Sequence, residues 1–287
     1  MSKKDNNQPV DPDTTGHSWD GIEEFNNPLP KWWLWTFYAT IVWGIGYTIA
    51  YPAWPLIEKA TPGLLKYSTR GEVVEEIAAV EAANEDLNVQ LASADLPTLP
   101  ENAELHRYAV NGGRSLFAAN CSQCHGSGAA GFIGYPNLLD DDWLWGGDID
   151  TIAYTINHGI RNDQSPDSHW SEMPAFGEIL EPEEIQTVVS YVQSISGQEH
   201  DADLAAAGEE IFLDQCSACH LETGMGETSL GAPNLTDAIW LYGGDPEALT
   251  ETITYSRFGV MPAWGLRLSE AEVNALAAYV HQLGGGQ

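Results

Sequence analysis

The chain has 287 residues, enough for about two domains with cores of their own, and carries 42 acidic against 11 basic residues, a formal net charge of −31. A surface of that sign repels polyanions and excludes nucleic acid as a partner. It suits docking of a basic soluble protein or life in a salt-rich medium, and composition weighs the two equally.

Residues 1–30 are polar and rich in Asn, Asp, Pro and Gly, with Lys3 and Lys4 near the start. They are expected to form a loose or partner-bound segment. From Trp32 to Ile57 there is no charged residue, and about 20 apolar residues suffice to cross a hydrocarbon core. Residues 31–57 therefore read as a membrane anchor. Lys31, Trp32, Trp33 and Trp35 lie at one end and Tyr47, Tyr51 and Trp54 at the other, as in interfacial aromatic belts. A cleaved signal peptide fits less well, because the preceding polar region is long, the apolar run exceeds a signal core, and no clear Ala-x-Ala site follows. Pro52 and Pro55 mark the end of the span. Lys59, Lys66 and Arg70 follow it, so the basic residues code its orientation only weakly.

Thr69 to Ala94 reads as a helix with Val73, Val74, Ile77, Val80, Leu87 and Leu91 at roughly helical intervals, a face that would pack on a neighbour. Pro97 and Pro100 end it, so that 58–100 forms a helical linker.

Two pentads follow, Cys121-Ser122-Gln123-Cys124-His125 and Cys216-Ser217-Ala218-Cys219-His220, and they contain all four cysteines of the chain. Two thiols three positions apart add across the two vinyl groups of one porphyrin, while the adjacent imidazole reaches the iron. A zinc ribbon would space its cysteine pairs by roughly 15–20 residues, whereas these lie 95 apart. A thioredoxin-like site would need a preceding strand, and neither pentad follows an alternating apolar run. Two covalently bound haems c are expected, attached through Cys121, Cys124, Cys216 and Cys219 and ligated by His125 and His220.

The pentads sit in an internal repeat. Gly113-Arg-Ser-Leu-Phe117 matches Gly208-Glu-Glu-Ile-Phe212, and Pro136-Asn137-Leu138 matches Pro233-Asn234-Leu235. Trp143-Leu-Trp-Gly-Gly147 matches Trp240-Leu-Tyr-Gly-Gly244, and Met173-Pro174-Ala175-Phe176 matches Met261-Pro262-Ala263-Trp264. The first repeat carries nine extra residues before its Met-Pro, including Asp163 to Asp167, which read as a surface loop. Each repeat closes with an apolar stripe at helical spacing: Ile185, Val188, Val189, Val192 and Ile195 in one, Val273, Leu276, Ala277 and Val280 in the other. Ser269 and Glu272 give the second stripe a capping-box start. The pattern is mainly α: one N-terminal transmembrane helix followed by two tandem cytochrome c domains, 101–198 and 199–287.

The sixth iron position needs a donor. Of four methionines, Met173 and Met261 occupy matching repeat positions, each followed by a stiffening Pro, and are the expected axial ligands. Tandem order would pair Met173 with the first haem and Met261 with the second, and a crossed arrangement stays open. Met225 reads as a loop residue. His158 and His169 remain candidates for bis-His ligation, although second-shell or surface positions are commoner.

One span followed by two such repeats, with the leader Gly-Ile-Glu-Glu-Phe-Asn-Asn-Pro-Leu-Pro-Lys-Trp-Trp from Gly21 to Trp33, resembles the dihaem subunit III, CcoP or FixP, of the cbb3-type cytochrome c oxidases. The resemblance implies a bacterial inner-membrane protein with a cytoplasmic N-terminus and periplasmic haem domains. It further implies electron entry from a donor cytochrome c, passage between the haems, and exit through a monohaem subunit to the haem-copper subunit that reduces oxygen. On that reading the chain is a non-catalytic electron-transfer subunit, with no oxygen-reducing site of its own. Two alternatives stand beside it: a tethered dihaem carrier for another membrane dehydrogenase or reductase, and a dihaem peroxidase, which the matched Met-Pro loops oppose.

Overall fold

The computed structural model describes residues 13–286 and divides the chain into two compact units, 1–82 and 83–287. Lys3, Lys4 and Met1 lie outside the described residues.

In the first unit the polar leader is more ordered than its composition suggests. Strands β1 (Thr14–Trp19) and β2 (Ile22–Phe25) pair antiparallel, with Trp19 opposite Ile22 and Ser18 opposite Glu23. Asp20 and Gly21 make the turn with φ of 49° and 80°, the positive angles for which Asp-Gly hairpins are selected. Every side chain of this hairpin is exposed.

Helix α1 (Lys31–Ala50) begins straight after Pro30 and carries one charge, at its first residue. None of its side chains is buried. The expected anchor segment, 31–57, is helical over only part of its length. The helix ends at Ala50, just ahead of Pro52 and Pro55, and residues 51–68 fold back so that Leu64 and Leu65 donate backbone hydrogen bonds to Ile49 and Ala50 at 2.9 and 3.0 Å. Among the described residues no helix is long and apolar enough to cross a membrane; at 20 residues α1 lacks apolarity rather than length, because four Trp, two Tyr and two Gly dilute its Ile, Val, Leu and Phe.

Helix α2 (Thr69–Ala92) forms as expected but does not pack along its length. Val73, Val74, Ile77 and Val80 are exposed, and only Leu91 near its end is buried.

The second unit contains α3 (Ala103–Asn120), α4 (Ser122–His125), α5 (Ile149–His158), α6 (Pro182–Ile195), α7 (Ala202–Gln215), α8 (Ser217–His220), α9 (Pro246–Tyr255) and α10 (Glu270–His281). Helices α3 and α7 lead into the pentads. The capping box of Ser269 and Glu272 starts α10, and Glu181 with Glu184 makes the equivalent box for α6.

The packing is not that of two consecutive domains. Helix α3 of the first repeat packs on α10 of the second, and α7 of the second packs on α6 of the first. One core joins Leu105, Ala109 and Phe117 to Ile149, Ile152 and Ile156 and to Leu276, Ala277 and Val280. The other joins Ile185, Val188, Val189 and Val192 to Phe212 and Leu249. Glycine makes both crossings possible. A Cβ on Gly113 would lie 2.1 Å from the Ala275 carbonyl oxygen, and one on Gly208 would lie 2.0 Å from that of Thr187. Phe117 and Phe212, one turn further on, are 2% and 1% exposed.

Candidate haem-binding sites

Each pentad forms the end of one helix and a single turn of the next. Cys121 and Cys216 cap α3 and α7 through backbone hydrogen bonds to Phe117 and Phe212, and Cys124-His125 and Cys219-His220 complete the short turns α4 and α8. All four thiols are free. Burial, and then the neighbouring thiol, pushes the pKa of Cys121 and Cys216 up to about 11.

Both histidines are oriented the same way. Nδ1 of His125 lies 3.1 Å from the Pro136 carbonyl, and Nδ1 of His220 lies 3.1 Å from that of Pro233. A carbonyl can only accept, so each Nδ1 carries the proton and each Nε2 keeps its lone pair, the tautomer that binds a metal. Burial lowers both imidazole pKa values, against the hydrogen bond that raises them, and keeps the rings neutral at neutral pH.

The second pentad faces a cavity of about 410 Å³ walled by Phe176, Val188, Val192, Phe212, Trp240 and Leu249, within the roughly 300–1,000 Å³ of cofactor clefts. Cys216, Cys219 and His220 line it, and so does Met173 of the first repeat. Two thiols, an imidazole with a free Nε2 and a thioether around an apolar slot form the donor set of a haem c, and the residues fit that group. At the first pentad, Cys121 and Met261 both pack against the α3–α5–α10 core. Each pentad thus shares a cavity or a core with the methionine of the other repeat, a placement compatible with the crossed arrangement.

The crossing is fixed by backbone. Ile160, just past α5, exchanges two hydrogen bonds with Met261 at 2.9 and 3.0 Å. At the equivalent place past α9, the Ser256 hydroxyl donates to the Met173 carbonyl. Between the two sites the loops touch directly: Gly134 N donates to Leu241 O at 2.7 Å, and Gly231 lies against the Trp145 indole so closely that a Cβ would sit 2.3 Å from its ring atoms.

The other sequence candidates have different partners. His169 stacks on Trp145 with ring centroids 4.4 Å apart and places Nε2 3.1 Å from the Thr155 hydroxyl. His158 contacts Asn157 and the Ser165 hydroxyl. Met225 is 61% exposed, as a loop residue would be. Sequence reasoning overlooked helices α5 and α9 and, with them, Arg161 and Arg257 on the cavity wall. The signal was available in Asp148 and Asp245, which follow the Gly-Gly pairs and cap α5 and α9 by accepting from Thr151 N at 2.9 Å and Ala248 N at 3.0 Å.

Comparison with known proteins places the chain in a family. A family model described as cytochrome c oxidase, cbb3-type, subunit III matches residues 109–192 and 203–280, the two repeats. The chain belongs to that family. A second model, the N-terminal domain of cytochrome oxidase-cbb3, FixP, matches residues 11–58, which include the hairpin and α1. The cbb3-type cytochrome c oxidase subunit CcoP of Cereibacter sphaeroides is 59% identical over the full length of both chains. The CcoP subunit of Rhodobacter capsulatus is 52% identical, again over all of both, and the FixP subunit of Azorhizobium caulinodans is 50% identical over all of this chain and 99% of its own. Cytochrome c domains of this family are haem c domains.

Proposed function

We propose that this chain is the dihaem electron-entry subunit of a cbb3-type terminal oxidase, taking electrons from a donor cytochrome c and delivering them, through a monohaem partner subunit, to the haem-copper subunit that reduces oxygen. The carrying observation is the pair of matched sites, each with two thiols, an imidazole held in the metal-binding tautomer and a methionine from the opposite repeat. Haem c, when bound, supplies a one-electron couple at each site. The chain's own work is to hold and tune it. Cys121, Cys124, Cys216 and Cys219 are the attachment points; His125 with Met261, and His220 with Met173, are the axial pairs. Thioether ligation and dry apolar walls raise a reduction potential relative to bis-His ligation in water. The Gly134–Leu241 hydrogen bond and the Trp145–Gly231 contact tie the loops of the two sites together.

Residues 31–50 are the membrane anchor on this reading, with the N-terminus cytoplasmic and the repeats periplasmic. Three features support it: about 30 Å of helix from 20 residues, no charge after Lys31, and no buried side chain anywhere along α1. The Trp and Tyr residues that lower its mean hydropathy are the ones that membrane interfaces favour.

Purification of the tagged chain from its native membrane in mild detergent tests the proposal. Co-purifying haem b and copper, with oxygen uptake driven by reduced cytochrome c, is the expected result. Haem c alone, together with a dehydrogenase or another reductase, would overturn it. Release of the chain from membranes by carbonate would overturn the anchor.

A further inference from the structure

We propose that Arg161, from the first repeat, holds a propionate carboxylate of the haem attached to the second pentad, and thereby sets that centre's potential from across the repeat boundary. The inference rests on the haem-binding reading above. Arg161 directly follows Ile160, the residue whose backbone is bonded to Met261, so its position is fixed by the same crossing that places the methionines. Its guanidinium is tethered by backbone carbonyls alone: Nε donates to Ser171 O at 2.6 Å and Nη1 to Gly259 O at 3.1 Å, and the group lies 5.3 Å over the Phe258 ring. It lines the same cavity as Cys216, Cys219, His220 and Met173.

Its charge is the anomaly. Arg161 is half-buried, and desolvation lowers its pKa; the carboxylate whose field opposes that effect, Glu172, stays beyond ion-pair distance. Among the described residues the one Lys or Arg ion pair is Arg257 with Glu251, at 2.8 Å. Arg257, the other guanidinium on the cavity wall, also donates to Thr252 Oγ1 and to the carbonyls of Tyr242 and Ala248. No acceptor among the described residues meets Nη2 of Arg161. A chain with 42 carboxylates has left a partly desolvated cation without one, an arrangement that is costly unless an anion arrives from elsewhere. The cavity already presents the covalent and axial donors for a porphyrin, and the two propionates are the anionic groups a porphyrin brings. A guanidinium fork suits a carboxylate bidentately.

A cation beside the porphyrin favours the reduced state, which carries one positive charge fewer. The test is a spectroscopic redox titration of the detergent-purified full chain carrying Arg161→Gln or Arg161→Lys, with the second centre assigned from a Cys121→Ala/Cys124→Ala chain. Arg161→Gln is expected to lower the reduced-to-oxidised ratio of the second centre about tenfold at a fixed poise, about 59 mV for one electron, with the first centre unmoved. Arg161→Lys should restore most of the loss. An unmoved second centre, a shift confined to the first, or equal shifts in both variants would each overturn the assignment. Arg161→Lys also replaces a fork by a point charge, so the propionate carboxylate bands of the redox-difference infrared spectrum should shift while both haems stay attached, and unshifted bands would refute the contact. Failure of the underlying haem reading is separable, because it would show as a Cys216→Ala/Cys219→Ala chain that still holds two haems.

Discussion

Ile160 and Met261 exchange both of their backbone hydrogen bonds, N to O at 3.0 and 2.9 Å, although they stand in different repeats. A methionine in a flexible loop binds metal poorly, because ordering the loop costs conformational entropy each time. A two-bond bridge orders it beforehand. The hydroxyl of Ser256 does the same for Met173, so each repeat supplies the clamp for the other's methionine.

That crossing gives the first expected outcome. Met261→Leu should lower the potential of the haem on Cys121 and Cys124, and Met173→Leu that of the haem on Cys216 and Cys219, since thioether ligation raises the potential. The measurement is a redox titration of each variant in chains that retain only one pentad. Tandem pairing of the effects would refute the crossed assignment.

The helix crossings supply a second. Gly113→Ala and Gly208→Ala each drive a Cβ into the backbone of the facing helix, where there is no side-chain end to swing aside. Overpacking of that kind costs about 1–3 kcal/mol, visible as a lowered Tm. Gly112→Ala is the control. Its Cβ would lie 4.0 Å from that of Ala275, and in a helix interior the change from Gly is worth up to about 1 kcal/mol in favour of Ala.

Much of this was legible from residue spacing. The repeat alignment placed Gly113 opposite Gly208 and Phe117 opposite Phe212, and these became the two crossings and their buried anchors. The pentads, the Met-Pro pairs, the closing helices and their apolar stripes follow from thiol chemistry and periodicity, which are local. Which helix meets which is not local. The stripe of α10 fits α3 or α7 equally well on paper, and the choice is made by loops whose hydrogen bonds have no periodic signature. The leader hairpin was missed for another reason: its Asp20-Gly21 turn signal is clear, but its strands bury nothing, so no alternation announces them. In α1 the absence of charge is plain in the sequence, whereas its four Trp and two Tyr hold its mean hydropathy down.

Asp142 adds a dependence on pH. Burial, then the charges of Asp237, Asp140 and Asp141, pushes its pKa from 3.8 to about 6. The folded chain therefore holds a proton that the unfolded chain releases, and stability falls as pH rises from about 4 to about 6. Asp142→Asn removes that loss. Thermal melting of the haem-loaded variant should match the parent at pH 4 and exceed it at pH 8, by about 1 kcal/mol once solvent screening of a half-exposed group is allowed for. Parallel pH profiles would show that Asp142 is ionised at ordinary acidity.

Interleaved repeats should not fold separately. Residues 101–198 contain α3 but not α10, and would leave Leu105, Ala109 and Phe117 without Leu276, Ala277 and Val280. Residues 199–287 contain α7 but not α6, and would leave Phe212 without Val188 and Val192. Each fragment loses about half of a core and the methionine that shares a cavity or core with its own pentad. A chain of residues 83–287 keeps both cores whole. Expressed with haem-attachment machinery, the 83–287 chain should accumulate with two haems and melt cooperatively, whereas either single repeat should be degraded, or should carry a haem without a methionine ligand. A well-folded, methionine-ligated single repeat would mean that tandem packing is accessible to this sequence, and that the interleaving is a choice between two packings close in energy.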